Sequence, residues 1–333
     1  MNTKHSVDET TIDPSLKLRP AQWSDLEAVA QLIYDVCIAD GDAIVAVTPD
    51  ELKHEWETPG FDLVRDAFLV ESSDGHIVGY EEFFNEHEHV RLRTDGYVHP
   101  DFKGRGIGTA LLRTIEQRAR EEIALAAPDV RVSLRSTTDQ RDSVGLDLHR
   151  NEGYQPLRYH WRMEIVMDGP PSEPTFPEGI ELRPFIKGEH DIPVWQAQNE
   201  AFRDHWGSHD VTLEEWKRSR FDDPEFDPTL WQIAWDGDQV AGFSLNRYRM
   251  GIGWIRTLGV RSPWRKRGLG EALLLQSFGE FYNRGTKTIG LGVDAQNPTG
   301  ATRLYQKVGM HAASEFVTFE KELRPGRDVD EES

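Results

Sequence analysis

Apolar residues recur at three-and-four spacing through Thr109-Ala110-Leu111-Leu112-Arg113-Thr114-Ile115-Glu116. They do so again through Glu271-Ala272-Leu273-Leu274-Leu275-Gln276-Ser277-Phe278, so the spacing predicts two long amphipathic helices. Ahead of each runs a segment that alternates or is continuously apolar, Leu92 to Val98 and Trp254 to Val260, which reads as a strand. Each half of the chain shows the same coarse order: strand, helices, a pair of strands, a glycine-rich turn, a long helix, a strand, a helix and a strand. That mixture predicts an α/β (mixed α+β) fold.

The pattern is a repeat. Leu18-Arg19-Pro20 returns as Leu182-Arg183-Pro184, and His76-Ile77-Val78-Gly79-Tyr80 as Gln239-Val240-Ala241-Gly242-Phe243. Lys103-Gly104-Arg105-Gly106-Ile107-Gly108 returns as Arg265-Lys266-Arg267-Gly268-Leu269-Gly270, and Arg150-Asn151-Glu152-Gly153-Tyr154 is answered by Lys307-Val308-Gly309-Met310. The offsets drift slowly: 182 − 18 = 164, 242 − 79 = 163, 268 − 106 = 162 and 309 − 153 = 156. One domain-sized unit is therefore used twice, because a solenoid would repeat every ~20–50 residues. Four prolines fall between Asp168 and Gly179 and predict a stiff linker, giving domains at 16–167 and 180–324 around a linker at 168–179.

A length of 333 residues suits two domains, and 38% hydrophobic residues suffice for packed cores. No apolar run reaches the ~18 residues of a membrane span, and the N-terminus lacks a signal-type apolar region. A lone cysteine, Cys37, excludes an internal disulfide or a multi-thiolate metal site, which together with these features predicts a cytoplasmic protein. Lys and Arg total 38 against 58 Asp and Glu, so the net charge is −20, which argues against nucleic-acid and membrane partners. Glu86-His87-Glu88-His89 reads as an acidic hairpin tip, and no metal is expected.

Each glycine turn lies between a strand and a helix. Glycine lets the backbone approach a ligand there, and the unpaired amides of the helix start favour an anion such as a pyrophosphate. Neither copy fits the Walker pattern or Gly-x-Gly-x-x-Gly.

The segments Tyr97 to Gly108 and Leu258 to Gly270 resemble motif A of the GCN5-related N-acetyltransferase (GNAT) superfamily, Arg/Gln-x-x-Gly-x-Gly/Ala. Asn297 to Met310 resembles its motif B, and the layout resembles a tandem, two-copy member. The resemblance implies two mixed, splayed β-sheets flanked by helices, with acetyl-coenzyme A as cosubstrate. Its pyrophosphate would lie on Arg265, Lys266, Arg267, Gly268, Leu269 and Gly270. The pantetheine arm would lie along Leu258 and Val260, near Asn297. In the first copy the matching residues are Val98, Lys103, Gly104, Arg105, Gly106 and Gly108.

The implied reaction is acetyl transfer to a primary amine of a small molecule by direct attack in a ternary complex. Tyr305, in motif B, takes the family's place for the acid that protonates the leaving thiolate. Counting back four from the shared glycine puts His149 there in the first copy, and Arg141 answers Asn297, so the N-terminal copy reads as degenerate. A two-copy member of the family carries a glutamate base where this chain has Trp254. The cluster Glu200 to Gly207 therefore supplies the expected base, His205, and carboxylates for a cationic amine, Glu200 and Asp204. Two alternatives stand beside this reading: a non-catalytic acyl-coenzyme A sensor or scaffold, and an enzyme using a longer acyl group. The expected assembly is a monomer whose two copies mimic a dimer, or a homodimer.

Overall fold

The structure, a computed structural model, describes residues 12–203, 205–206, 210–297 and 299–328. The N-terminal half contains β1 (Lys17–Pro20), α1 (Leu26–Ala39), α2 (Pro49–Trp56), α3 (Leu63–Asp66), β2 (Ala67–Glu71), β3 (Ile77–His87) and β4 (Arg91–Val98). There follow α4 (Ile107–Glu122), β5 (Val132–Asp139), α5 (Ser143–Asn151) and β6 (Gln155–Val166). The C-terminal half contains β7 (Ile180–Arg183), α6 (Asp191–Phe202), α7 (Leu213–Phe221), β8 (Gln232–Asp236), β9 (Gln239–Arg249) and β10 (Ile252–Val260). It closes with α8 (Leu269–Asn283), β11 (Thr288–Asp294), α9 (Ala301–Lys307) and β12 (His311–Arg324).

The chain divides into two compact units whose boundaries differ from the expected 16–167 and 180–324. One unit takes residues up to Arg158 together with Phe316–Val329, and the other takes Tyr159–Glu315. The reason is a strand exchange. The first unit runs β1-β2-β3-β4-β5 and is completed by β12, which pairs antiparallel with β5 from Phe316↔Asp139 to Arg324↔Val132. The second runs β7-β8-β9-β10-β11 and is completed by β6, from Thr288↔Val166 to Asp294↔His160. The linker is no free spacer either, since Phe176 packs on a core of Ala234, Ala241, Trp264, Leu269 and Leu273.

Within each unit the first four strands form an antiparallel meander and the next pair is parallel, β4 with β5 and β10 with β11. A parallel pair needs a crossover, which α4 and α8 provide. Their buried faces follow the predicted spacing: Ile107, Leu111, Leu112 and Ile115 in one, Leu269, Leu273, Leu274 and Phe278 in the other. The repeated Val-Gly and Ala-Gly pairs have a packing cause. A Cβ on Gly79 would come within 2.5 Å of Ile107 Cγ2, and one on Gly242 within 2.9 Å of the Gly259 carbonyl oxygen and 3.1 Å of Leu273 Cδ1. Only glycine lets the crossover helix lie this close to the sheet. Among the described residues no helix is long and apolar enough to cross a membrane.

Candidate active site

The parallel ladders are short. β10 pairs with β11 through Gly253↔Ile289 and Trp254↔Gly290, and past Trp254 the two strands part. The open edge of β10 from Ile255 to Val260 then walls a cleft of ≈ 840 Å³. A β-bulge sits in this edge, because the register with β9 jumps between Ile255↔Asn246 and Thr257↔Leu245 and leaves Arg256 extra. Such a bulge bends a strand and re-aims its side chains, and Arg256 lines the cleft.

At the far end of that edge the chain enters α8 through the predicted turn. Lys266 and Gly268 both hold left-handed backbone, with φ of +61° and +87°. Gly268 caps α8 and has no side chain to bond the first-turn amides, and Gly268, Leu269 and Gly270 line the cleft. Leu258, Val260, Arg265, Lys266, Gly268, Leu269 and Gly270 all line this space. Arg267 is not among the lining residues and reaches the Glu178 carbonyl at 3.5 Å. Arg265 is committed to the backbone, donating from Nε to Val260 O at 3.0 Å and from Nη2 to Ala201 O at 2.9 Å. Arg265 thus braces the strand end, while Lys266 lines the cleft beside the turn.

Tyr305 stands on α9 at 8% exposure and lines the same cleft. Burial pushes its phenol up to about 12, so it stays protonated through the physiological range. Its hydroxyl makes no hydrogen bond among the described residues, which leaves its proton available to a ligand. Asn297 also lines the cleft, but its Oδ1 accepts from the Thr299 amide at 2.8 Å and hydroxyl at 2.6 Å, so only its amide nitrogen is left for an arm. His205 lines the cleft with its ring 4.6 Å from that of Phe202.

Of the predicted acceptor carboxylates, Glu200 is not among the residues lining this cleft. Glu200 binds Arg261 at 2.7 Å and lines a second groove, of ≈ 770 Å³, with Trp195 and Arg203. Asp204 lies outside the described residues. Trp254 packs on the sheet, where a Cβ on Gly290 would approach its ring to 2.8 Å, and the guanidinium of Arg249 stands 5.6 Å from that ring.

The N-terminal unit has its own cleft, ≈ 680 Å³, lined by Val98, Lys103, Gly104, Gly106 and Gly108. Here β3 and β4 stay in register from Gly79↔Val98 to Asn85↔Leu92, with no bulge at the open edge. Lys103 binds Asp142 at 2.8 Å and Asp40 at 3.6 Å, which neutralises the cation expected to meet a pyrophosphate. Arg105 does not line the cleft; it stacks over the Phe102 ring at 4.6 Å. His149 is held on both nitrogens, Nδ1 at 2.7 Å from Gly145 O and Nε2 at 2.8 Å from Ser136 Oγ, and it stacks on Phe319. Burial lowers its pKa, so the ring is neutral and its Nδ1 proton is given to a carbonyl. It is a packed core histidine rather than a proton donor.

Three features escaped sequence reasoning. Arg256 reaches the wall by way of a bulge. Arg220, on α7, sits behind the wall, with Nη2 3.3 Å from both Gln198 Oε1 and Thr257 Oγ1. Glu81, 4% exposed, lines the N-terminal cleft. The paired acids Glu81 and Glu82 inside a strand were the only signal available. Among the described residues no group of His, Cys, Asp or Glu side chains is arranged to hold a metal ion.

A family model described as the acetyltransferase (GNAT) family matches residues 39–136 and 192–310. The mycothiol acetyltransferase of Thermobispora bispora is 33% identical over 221 residues, covering 64% of this chain and 70% of that protein. That of Salinispora arenicola is 29% identical over 265 residues, covering 76% and 80%. The crystal structure of a GCN5-related N-acetyltransferase from Sphaerobacter thermophilus superposes with a TM-score of 0.81 at 36% identity, over 96% of this chain and 99% of that one. A tandem GNAT protein from the clavulanic acid biosynthesis pathway shares the fold at 16% identity, with a TM-score of 0.71 over 94% and 100%.

Proposed function

The chain belongs to the acetyltransferase (GNAT) family, and from that premise we propose that its C-terminal unit moves the acetyl group of acetyl-coenzyme A to a primary amine of a small molecule. The observation that carries this reading is Tyr305, a protonated phenol with a free hydroxyl, on the wall of the cleft that also holds the α8 turn. The amides of Leu269 and Gly270 with Lys266 grip the pyrophosphate, and the open edge of β10 at Leu258 guides the pantetheine arm. The neutral amine attacks the thioester directly. Tyr305 supplies the proton that the departing sulfur takes up, and His205, through water, takes the proton that the amine gives up. No side chain carries the acetyl group. The only cysteine in the sequence, Cys37, is buried in the N-terminal unit.

The N-terminal unit does not react in this reading. Its edge lacks the bulge, Lys103 is neutralised and His149 has no proton to give. The acidic surface, at net charge −20, favours small amines over nucleic acid, and a single cysteine fits a cytoplasmic setting. The experiment is release of free coenzyme A thiol from acetyl-coenzyme A across a panel of amines, with the amide product identified by mass. Thiol release and an acetylated amine are expected. Tight binding of acetyl-coenzyme A with no amide from any amine would instead favour a sensor.

A further inference from the structure

The N-terminal cleft carries an acid that the glycine turn beside it does not explain. Glu81 lines this cleft at 4% exposure and pairs across the strands with Gly96. Gly96 makes room for it, because a Cβ there would stand 3.0 Å from the Glu81 carboxyl carbon and 3.2 Å from Oε2. Oε1 accepts from Thr94 Oγ1 at 2.9 Å, and Thr94 is the last β4 residue of the parallel ladder, opposite Ser136. The carboxyl therefore stands where β4 and β5 part. Among the described residues it makes no ion pair and no other hydrogen bond, which leaves Oε2 without a partner. Its neighbours in the lining are answered: Asp95 by Arg93 at 2.8 Å, Asp139 by Arg141 at 2.6 Å, Glu152 by Arg113 at 2.8 Å, and Asp40 and Asp142 by Lys103. Lys103 is the only lysine or arginine among the described residues that line the cleft, so none of these cations is left for Glu81.

Such a group favours one kind of ligand. A buried carboxyl with no counter-ion keeps its proton, and burial raises that of Glu81 to about 8. An ammonium at Oε2 takes the place of the proton, which leaves to solvent, and supplies both the missing hydrogen bond and the missing charge. Val36, Val45, Leu111, Leu148 and Phe316 give the same cleft apolar walls. The offset of 163 between Gly79 and Gly242 carries Glu81 onto Ser244 in the second copy. Ser244 donates to Asn246 Oδ1 at 2.8 Å and accepts from Ser277 Oγ at 3.0 Å, so the acid belongs to the N-terminal cleft alone. We propose that the N-terminal cleft is a binding site for a small organic ammonium ion with an apolar body, its nitrogen received by Glu81. The turn that would hold a pyrophosphate has lost its free cation to Asp142, and the fork above it takes a cation instead.

The test is calorimetry on the full chain at pH 8 with 2-phenylethylamine and n-hexylamine, each against its alcohol, 2-phenylethanol and n-hexanol. The wild-type chain is expected to bind the amine roughly 30-fold tighter than the alcohol, with hydrogen exchange slowed in peptides spanning β3 and β4. Glu81→Gln keeps the shape of the side chain and an oxygen for Thr94, and should bring amine and alcohol to nearly equal affinity. Asp142→Ala releases the charge of Lys103 into the cleft, and should weaken the amine several-fold while leaving the alcohol unchanged. Four results overturn the inference: no binding of either amine at millimolar concentration, equal affinity for amine and alcohol, protection confined to peptides spanning β10 and α8, or a preference for the amine that survives Glu81→Gln. The transfer reading is decided separately, by amide formation in the C-terminal cleft.

Discussion

Glu81 offers a measurement whose size follows from the structure. Its carboxyl is 4% exposed, with Oε1 accepting from Thr94 Oγ1 at 2.9 Å. Burial raises its pKa from 4.5 to about 8; the Thr94 hydrogen bond opposes this and the charge on Asp95 adds to it. In the unfolded chain the carboxyl ionises near 4.5, so between these values the folded chain binds the extra proton. Stability contributed by the neutral form is complete below about 4.5 and is lost as the pH rises through about 8. The difference, 8 − 4.5 or about 3.5, corresponds to roughly 5 kcal/mol over the window. Glu82 and Asp95 are raised in the same direction, so wild-type stability alone does not isolate Glu81. Glu81→Gln does. Urea unfolding of the full chain from pH 4.5 to 9, read by hydrogen exchange in peptides spanning β3 and β4, should show the variant gaining on wild type as pH rises. The gain should level off above pH ~8, and curves that stay parallel across the range would refute the argument.

Tyr305→Phe should lower kcat by roughly 10–1,000-fold with acetyl-coenzyme A affinity unchanged by calorimetry, the range that general acid catalysis supplies. Because the phenol is raised to about 12, the acid form persists on the alkaline side, so kcat should show no basic limb from this group up to pH 10. Gly268 holds φ +87° with open space around it, so Gly268→Ala costs backbone strain alone, about 1–2 kcal/mol; it should lower Tm and raise the KM for acetyl-coenzyme A. Asp142→Ala frees Lys103 from its 2.8 Å partner and should raise coenzyme A binding in the N-terminal cleft several-fold by calorimetry, strongest at low salt.

The turn before α8, the turn before α4 and Tyr305 could be read from the sequence because each is a local arrangement: glycines at fixed spacing, or a tyrosine four residues ahead of Gly309. The same locality limited the rest. Lys103 looked like a phosphate ligand until Asp142, 39 residues away, was found beside it. Glu200 looked like an acceptor contact until Arg261, 61 residues on, claimed it. The bulge at Arg256 depends on how β9 and β10 pair, and one strand's sequence does not set that register. His149 matched Tyr305 by counting, yet its surroundings make it core. The unit boundaries failed for a similar reason, since β6 pairs with β11 and β12 with β5, partners distant in the chain that periodicity does not reveal.

The exchange of β6 and β12 has a consequence for synthesis. When the ribosome has released residues up to 158, β5 still lacks its outer neighbour, which is encoded beyond residue 315. Until then β5 offers the bare amide edge of Val132 and Leu134, a surface that invites mispairing with other nascent chains. The N-terminal unit therefore closes last although it is made first. A chain truncated near residue 300 should fail in both halves, where a simple two-bead arrangement would lose only one.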